Sequence, residues 1–275
     1  MIPAEVCHYT KKDTALKYIL PEKRLRFSQL KNTNDPKESK IRSAAGVCKE
    51  NEALDLNIQG EYVKELFRVH DYEWKVLCFT ASRKKQADLS PPIFQKGDFQ
   101  LFKGWSESDL SGYNHPRMWD QYAERHKGVC LVFDRIKLDQ LIHEELDGKC
   151  EIFSGLVKYG DLLSTNGTLI LDCSDVIALG PTEAAREHFR KNYSHYFLKK
   201  NLDWERETEF RWLAHSTKNG PEYISIFGAL TGIIVGMDFS RADYSILKSL
   251  CEELNVPVGR MGWASGLPII DYNFL

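Results

Sequence analysis

The chain lacks an excess of either charge. Its 37 Lys and Arg stand against 39 Asp and Glu, a formal net charge of −2. That excludes the global basic field that draws a protein onto nucleic acid or an anionic membrane, leaving only local patches open. The seven cysteines (Cys7, Cys48, Cys78, Cys130, Cys150, Cys173 and Cys251) are an odd number, scattered, with no pair two residues apart. Neither a zinc site nor a disulfide framework is expected from them, and their apolar neighbours mark most as small buried hydrophobes. No apolar run approaches the ~20 residues of a membrane-spanning helix. Met1-Ile2-Pro3-Ala4-Glu5 shows no basic stretch leading into an apolar one, as a secretory signal would. We therefore expect a cytoplasmic chain with no membrane partner. Phosphate-loop, dinucleotide-fingerprint, zinc-protease and serine-hydrolase motifs are missing too, as are internal repeats and low-complexity segments.

What is present is an ordinary globular composition: 275 residues, 43% hydrophobic and 28% charged, enough for a substantial core. Alternation predicts strands at 5–10, 25–28, 74–80, 128–134, 152–159, 205–214, 222–227, 232–236 and 256–261. Helical spacing predicts helices from Asp13 to a stop at Pro21, then over 38–52, 61–69, 116–126, 138–146, 183–200 and 241–254. Residues 83–104, with Pro91-Pro92 and Gly97, read as a long surface loop or lid. Strands and helices mix without a regular β-α-β rhythm. The expected fold is therefore α+β, one domain over 1–275, a mixed β-sheet with interspersed helices.

Four constellations could carry chemistry. In Cys7-His8-Tyr9-Thr10, alternation turns His8 and Thr10 to one face of the strand and Cys7 and Tyr9 to the other. An imidazole beside a hydroxyl can bond ribose or phosphate; alone, it more simply finishes a core edge. Asn34-Asp35-Pro36 with Glu38 reads as a turn and helix cap, with Asn34 and Asp35 open as a polar rim. Trp119, Tyr122 and His126, spaced i, i+3 and i+7, share a helix face that is either core or a slot for stacking on a base or nicotinamide ring. From Trp204 to Trp212, alternation sends Phe210 and Trp212 inward and Glu207, Glu209 and Arg211 to the opposite face. A solvated face with one Arg–Glu bridge would also look like this, but two neighbouring carboxylates repel unless one is protonated or paired. His188 and His195 have no acidic or cysteine partner nearby, so no metal is expected there.

In order, His8-Tyr9-Thr10, Asn34-Asp35-Pro36-x-Glu38, Cys78-Phe79-Thr80, Met118-Trp119-x-x-Tyr122-x-x-x-His126-x-Gly128-Val129, Val157-x-Tyr159 and Lys200-x-x-x-Trp204-x-x-Glu207-x-Glu209-x-Arg211 resemble a large bacterial family catalogued as a domain of unknown function. The likeness covers about residues 5–240. The opening strand, the helix ending in Ile19-Leu20 and Leu25-Arg26-Phe27 are similar to the start of ADP-ribosyltransferases. That resemblance implies NAD as substrate and no metal. It implies His8 on the ribose, Tyr122 or Trp119 against the nicotinamide, and Glu209 or Glu207 completing the site; Thr10 and His126, beside them by strand and helix spacing, are further candidates for holding the nucleotide. Such a Glu would stabilise the positive charge that builds on the sugar as the nicotinamide leaves. Arg211 or Arg26 would hold the diphosphate. The expected function is thus an ADP-ribosyltransferase or NAD glycohydrolase with a nucleotide, and an unknown protein or nucleic-acid acceptor, as partners. A toxin or anti-phage effector with a partner protein from the same defence locus would fit. Two alternatives stay open: a metal-dependent nuclease or phosphotransferase built on Glu207, Glu209 and Asp35, and a non-catalytic nucleotide or protein sensor.

Overall fold

The run Trp-Lys-Val-Leu-Cys-Phe-Thr-Ala becomes the strand on which the sheet is organised. The computed structural model describes residues 3–33, 35, 39, 44–47, 55–81, 112–160, 169–264 and 267–275. Its strands are β1 (Glu5–Thr10), β2 (Arg24–Gln29), β3 (Ala44–Val47), β4 (Trp74–Ala81), β5 (Val129–Asp134), β6 (Glu151–Leu156) and β7 (Lys158–Gly160). After them come β8 (Leu169–Asp172), β9 (Lys199–Asn201), β10 (Glu209–His215), β11 (Glu222–Ser225), β12 (Leu230–Val235), β13 (Val258–Ala264) and β14 (Leu267–Asp271). The main sheet has ten strands along the path β11-β2-β4-β1-β5-β12-β13-β14, with β10 joining β4 to β6. Its β12–β13 pair is parallel and its other pairs antiparallel, so the mixed α+β sheet expected from the sequence is what forms.

One edge of β4 is covered along nearly its whole length by β10, from Glu209 opposite Thr80 to His215 opposite Trp74. The other edge is shared. β1 pairs only at Val6–Ala81 and Cys7–Thr80, and β2 only at Ser28–Val76 and Gln29–Lys75. Between them the sheet forks at residues 77–79.

Both faces are buried, so β4 reads as a continuous apolar run and not as a clean alternation. Leu77, Phe79, Phe210 and Trp212 lie on one face, packed with Val6, Leu131, Leu138 and Leu247. The opposite face carries two separate apolar clusters. One joins Trp74, Val76 and Leu213 to Leu66, Phe189 and Phe197 of the Leu56–Arg68 and Pro181–Phe197 helices. The other joins Cys7, Tyr9 and Trp119 to Cys130, Val132 and Ile234.

Several boundaries differ from the sequence reading. Pro21 does not stop the first helical stretch, which runs on to Glu22 and ends at Lys23 in the left-handed region (φ 53°). Asp13 makes no side-chain cap there. Residues 44–47, expected helical, form β3 and pair with β8. The rest of the expected 38–52 helix, Asn34, Glu38 and the expected 83–104 lid lie outside the described residues, apart from Ser39. The Pro116 helix stops at Gln121; Glu124, Arg125 and His126 are left-handed (φ 50°, 54° and 66°). That turn is held close by the glycines around it. A Cβ on Gly236 would lie 2.0 Å from the His126 carbonyl oxygen, and one on Gly128 would lie 2.4 Å from that of Thr10. The segment after Met261 continues as a hairpin, β13 with β14. No helix among the described residues is long and apolar enough to cross a membrane.

Candidate functional site

The fork in the sheet opens into a cleft of about 180 Å³. It lies between the two apolar clusters of one face. β1 contributes Cys7 and Tyr9, β4 contributes Cys78 and Thr80, and β10 contributes Glu209 and Arg211, with Met118, Tyr122, Lys200, Glu207, Thr33 and Asp35 around the rim. Register explains the convergence. Cys7 sits opposite Thr80, and Thr80 opposite Glu209, and directly paired residues share a face.

Four charged side chains form a chain of contacts along one wall. The Lys200 ammonium lies 2.9 Å from Glu207 Oε2 and 2.9 Å from Glu209 Oε2. Arg211 grips Glu209 with two donors, Nε to Oε1 at 2.7 Å and Nη2 to Oε2 at 2.9 Å, and gives Nη1 to the Phe197 carbonyl at 2.7 Å. The Tyr122 hydroxyl donates to Glu207 Oε1 at 2.8 Å. Glu207, Glu209 and Arg211 are exposed by only 2%, 5% and 1%. The repulsion expected between the two carboxylates is thus answered by a shared lysine. Burial by itself would raise the pKa of Glu209, but the charges of Arg211 and Lys200 override it and hold the carboxyl at about 2. Burial, with the Glu207 charge behind it, pushes the Tyr122 phenol above its ordinary range, so it stays a neutral donor. Burial and then the Glu209 charge do the same to the Cys78 thiol.

The two glutamates reach the wall by different routes. Glu209 opens β10, whereas Glu207 closes a 3-10 turn over Leu202–Glu207, where a continuous strand was expected. Between them Thr208 is left-handed (φ 48°), a conformation that costs a β-branched residue about 1–2 kcal/mol. The Tyr159 hydroxyl accepts the Glu209 amide at 2.8 Å, fixing the start of β10.

Of the residues singled out in the sequence, Tyr122, Glu207, Glu209, Arg211 and Asp35 meet in the cleft. His8 lines the cleft as well, from the opposite face of the sheet. The register that pairs His8 with Leu131 puts it on the face of Phe79, whose ring is 5.5 Å away, opposite to Glu209. Its ring fills the fork instead, where Nδ1 donates at 3.0 Å to the Cys78 carbonyl, beyond the reach of the β1 ladder. Burial lowers the His8 pKa, which favours the neutral ring. Thr10 is buried in the β1–β5 ladder and Arg26 is exposed on β2 opposite Tyr223; neither borders the cleft. Trp119 is core: it is 1% exposed, gives Nε1 to the Tyr113 carbonyl and packs edge-on against Tyr9. Because the helix ends at Gln121, His126 does not continue its stripe; it stacks on Trp119 away from the cleft. The expected aromatic slot is therefore reduced to Tyr122. Arg211, expected on a diphosphate, is locked onto Glu209 and Phe197.

Among the members of the site not singled out in the sequence are Lys200 and Thr80. Each stood in the recurring motif string, and Thr80 was visible as a lone hydroxyl in an apolar strand. Among the described residues no group of three or more His, Cys, Asp and Glu is placed to hold a metal ion, and the point between Glu207 and Glu209 is taken by the Lys200 ammonium.

Residues 118–212 match a family model described as Protein of unknown function (DUF2971). The matched span holds both the Met118-Trp119-x-x-Tyr122 piece and the Trp204-to-Arg211 piece, so the family likeness read in the sequence stands on the residues that build the cleft wall. No curated protein and no solved structure matches the chain.

Proposed function

We propose that the cleft handles the ring-bearing end of a nucleotide, and that the reaction it suits is cleavage of the bond between nicotinamide and ribose in NAD, by water or by transfer to an acceptor. One observation carries the reading: two carboxylates, with Glu209 held ionised far below neutral pH, face a small cleft beside a neutral phenol. Loss of nicotinamide builds positive charge on the sugar, and a fixed carboxylate lowers the energy of that state without reorganising. At about 180 Å³ the cleft is smaller than the roughly 300 Å³ at which drug-sized pockets begin. One ring enters it, and the rest of a dinucleotide lies outside.

The test is nicotinamide release from NAD by the purified chain, with and without cell extract as acceptor, beside Glu209→Gln. A melting curve of the variant separates lost chemistry from lost fold. Release by the wild type that a folded variant loses supports the reading; no release under either condition sinks it. A toxin or defence role depends on the same turnover.

A second reading is favoured by a specific observation. All four oxygens of Glu207 and Glu209 already accept hydrogen bonds, from Tyr122, Lys200 and Arg211. A network so complete suits recognition without reaction. Nucleotide binding with no nicotinamide release would select this sensor reading.

A further inference from the structure

The Thr80 hydroxyl is a polar group with no structural duty. The residue is 1% exposed, lines the cleft and sits opposite Glu209 in the ladder. No described residue bonds its Oγ1. A buried hydroxyl left without a partner is costly, and native proteins rarely keep one without cause.

The charges around it are spoken for. Of the cations on the wall, Arg211 has Nε and Nη2 on Glu209 and Nη1 on a carbonyl, while Lys200 bridges Glu207 and Glu209. Among the described residues of this wall, two cations face two carboxylates, which leaves no net positive charge for an incoming anion.

We propose that Thr80 is the ligand-reading residue of the cleft: it hydrogen-bonds an uncharged or cationic ring-sized group, while the balanced wall rejects anions, so that phosphates of a nucleotide stay outside. This deepens the nucleotide reading and rests on it for the choice of probes. It also removes Arg211 from phosphate binding and moves selectivity to a hydroxyl.

Two matched pairs test it by titration calorimetry on the full chain. Nicotinamide and nicotinate share a shape but differ in charge; nicotinamide riboside and nicotinamide mononucleotide differ by a phosphate. The uncharged or cationic member of each pair should bind at least tenfold tighter. Thr80→Val keeps the β-branched shape that suits the strand and should weaken that member roughly tenfold, leaving the anionic member unchanged and the melting temperature the same or higher, since it removes an unpartnered buried hydroxyl. Equal or tighter binding of the anionic members, no effect of Thr80→Val, or no binding by any of the four probes overturns the proposal. Failure of the catalytic reading is distinguishable: the preferences then hold while NAD releases no nicotinamide. NAD cleavage with the preferences inverted overturns only this inference.

Discussion

The β4–β10 pair ends in a buried glutamate–arginine knot at both ends, and the two knots differ in kind. At the Thr80 end, Glu209, Glu207, Lys200 and Arg211 line a cleft and leave a hydroxyl unanswered. At the Trp74 end, Glu73 is exposed by 2% and takes Arg186 through two donors at 2.9 and 3.0 Å, Arg68 at 2.7 Å and His215 at 3.2 Å. Those partners come from the Leu56–Arg68 helix, the Pro181–Phe197 helix and the end of β10. The Glu73 knot therefore ties three elements together. The Glu209 knot draws its charges from β9, β10 and the turn between them. Glu73, gripped from two helices and a strand, clamps the fold; Glu209, gripped from β9 and its own strand, faces the candidate site.

The largest effect should come from breaking the clamp. Glu73→Gln leaves Arg186 and Arg68 facing a group that cannot neutralise them, at a cost of about 3 kcal/mol. Urea denaturation should show that loss while ligand affinity in the cleft stays unchanged. A loss under about 1 kcal/mol, or altered affinity, would erase the distinction between the two ends.

The second effect is the acid sensitivity of the cleft knot. Glu209 is held at about 2, against 4.5 for an ordinary glutamate. Its folded pKa is depressed, so its contribution is complete above pH ~4.5 and is lost as pH falls toward 2, a change of about 3 kcal/mol. The stability difference between wild type and Glu209→Gln should therefore shrink across that window. Parallel curves from pH 6 to 2.5 would show that Arg211 and Lys200 do not hold the carboxylate as described.

The sequence made one of these ends legible and hid the other. Glu207, Glu209 and Arg211 stood close together in a strand-like run, and their clustering announced a polar centre. Glu73 stands alone before Trp74, and its partners Arg68, Arg186 and His215 carry no pattern that joins them. Only the fold brings them within reach. The strand of Trp74–Ala81 was plain because both its faces are buried and it reads apolar throughout. The end of the Pro116 helix was not, since three left-handed residues without glycine, Glu124 to His126, contradict local preference. They are held by packing against Gly236 and Gly128, which one-dimensional spacing cannot register. His8 was placed on its strand correctly, and alternation gave its face, but which face Glu209 would share depended on the pairing of three strands.

The smallest effect should come from Thr208, and it asks whether the cleft end stores strain that the clamp end does not. Among the described residues of β4 and β10, and at Glu73, no residue is left-handed; Thr208, immediately before Glu209, is. Its Oγ1 is also buried without a hydrogen bond among the described residues. Thr208→Gly removes the Cβ that the left-handed region disfavours, and the gain outweighs the added freedom of the unfolded chain, for a net stabilisation of about 1 kcal/mol. The same freedom lets Glu207 drift from Lys200 and Tyr122, so cleft affinity should fall several-fold. Stability up and affinity down would mean that the strained turn is kept for the site, as strained backbone at functional positions is. Stability down would mean that the threonine serves the turn alone, and the contrast between the two knots would then rest on Thr80 and the partners of each glutamate.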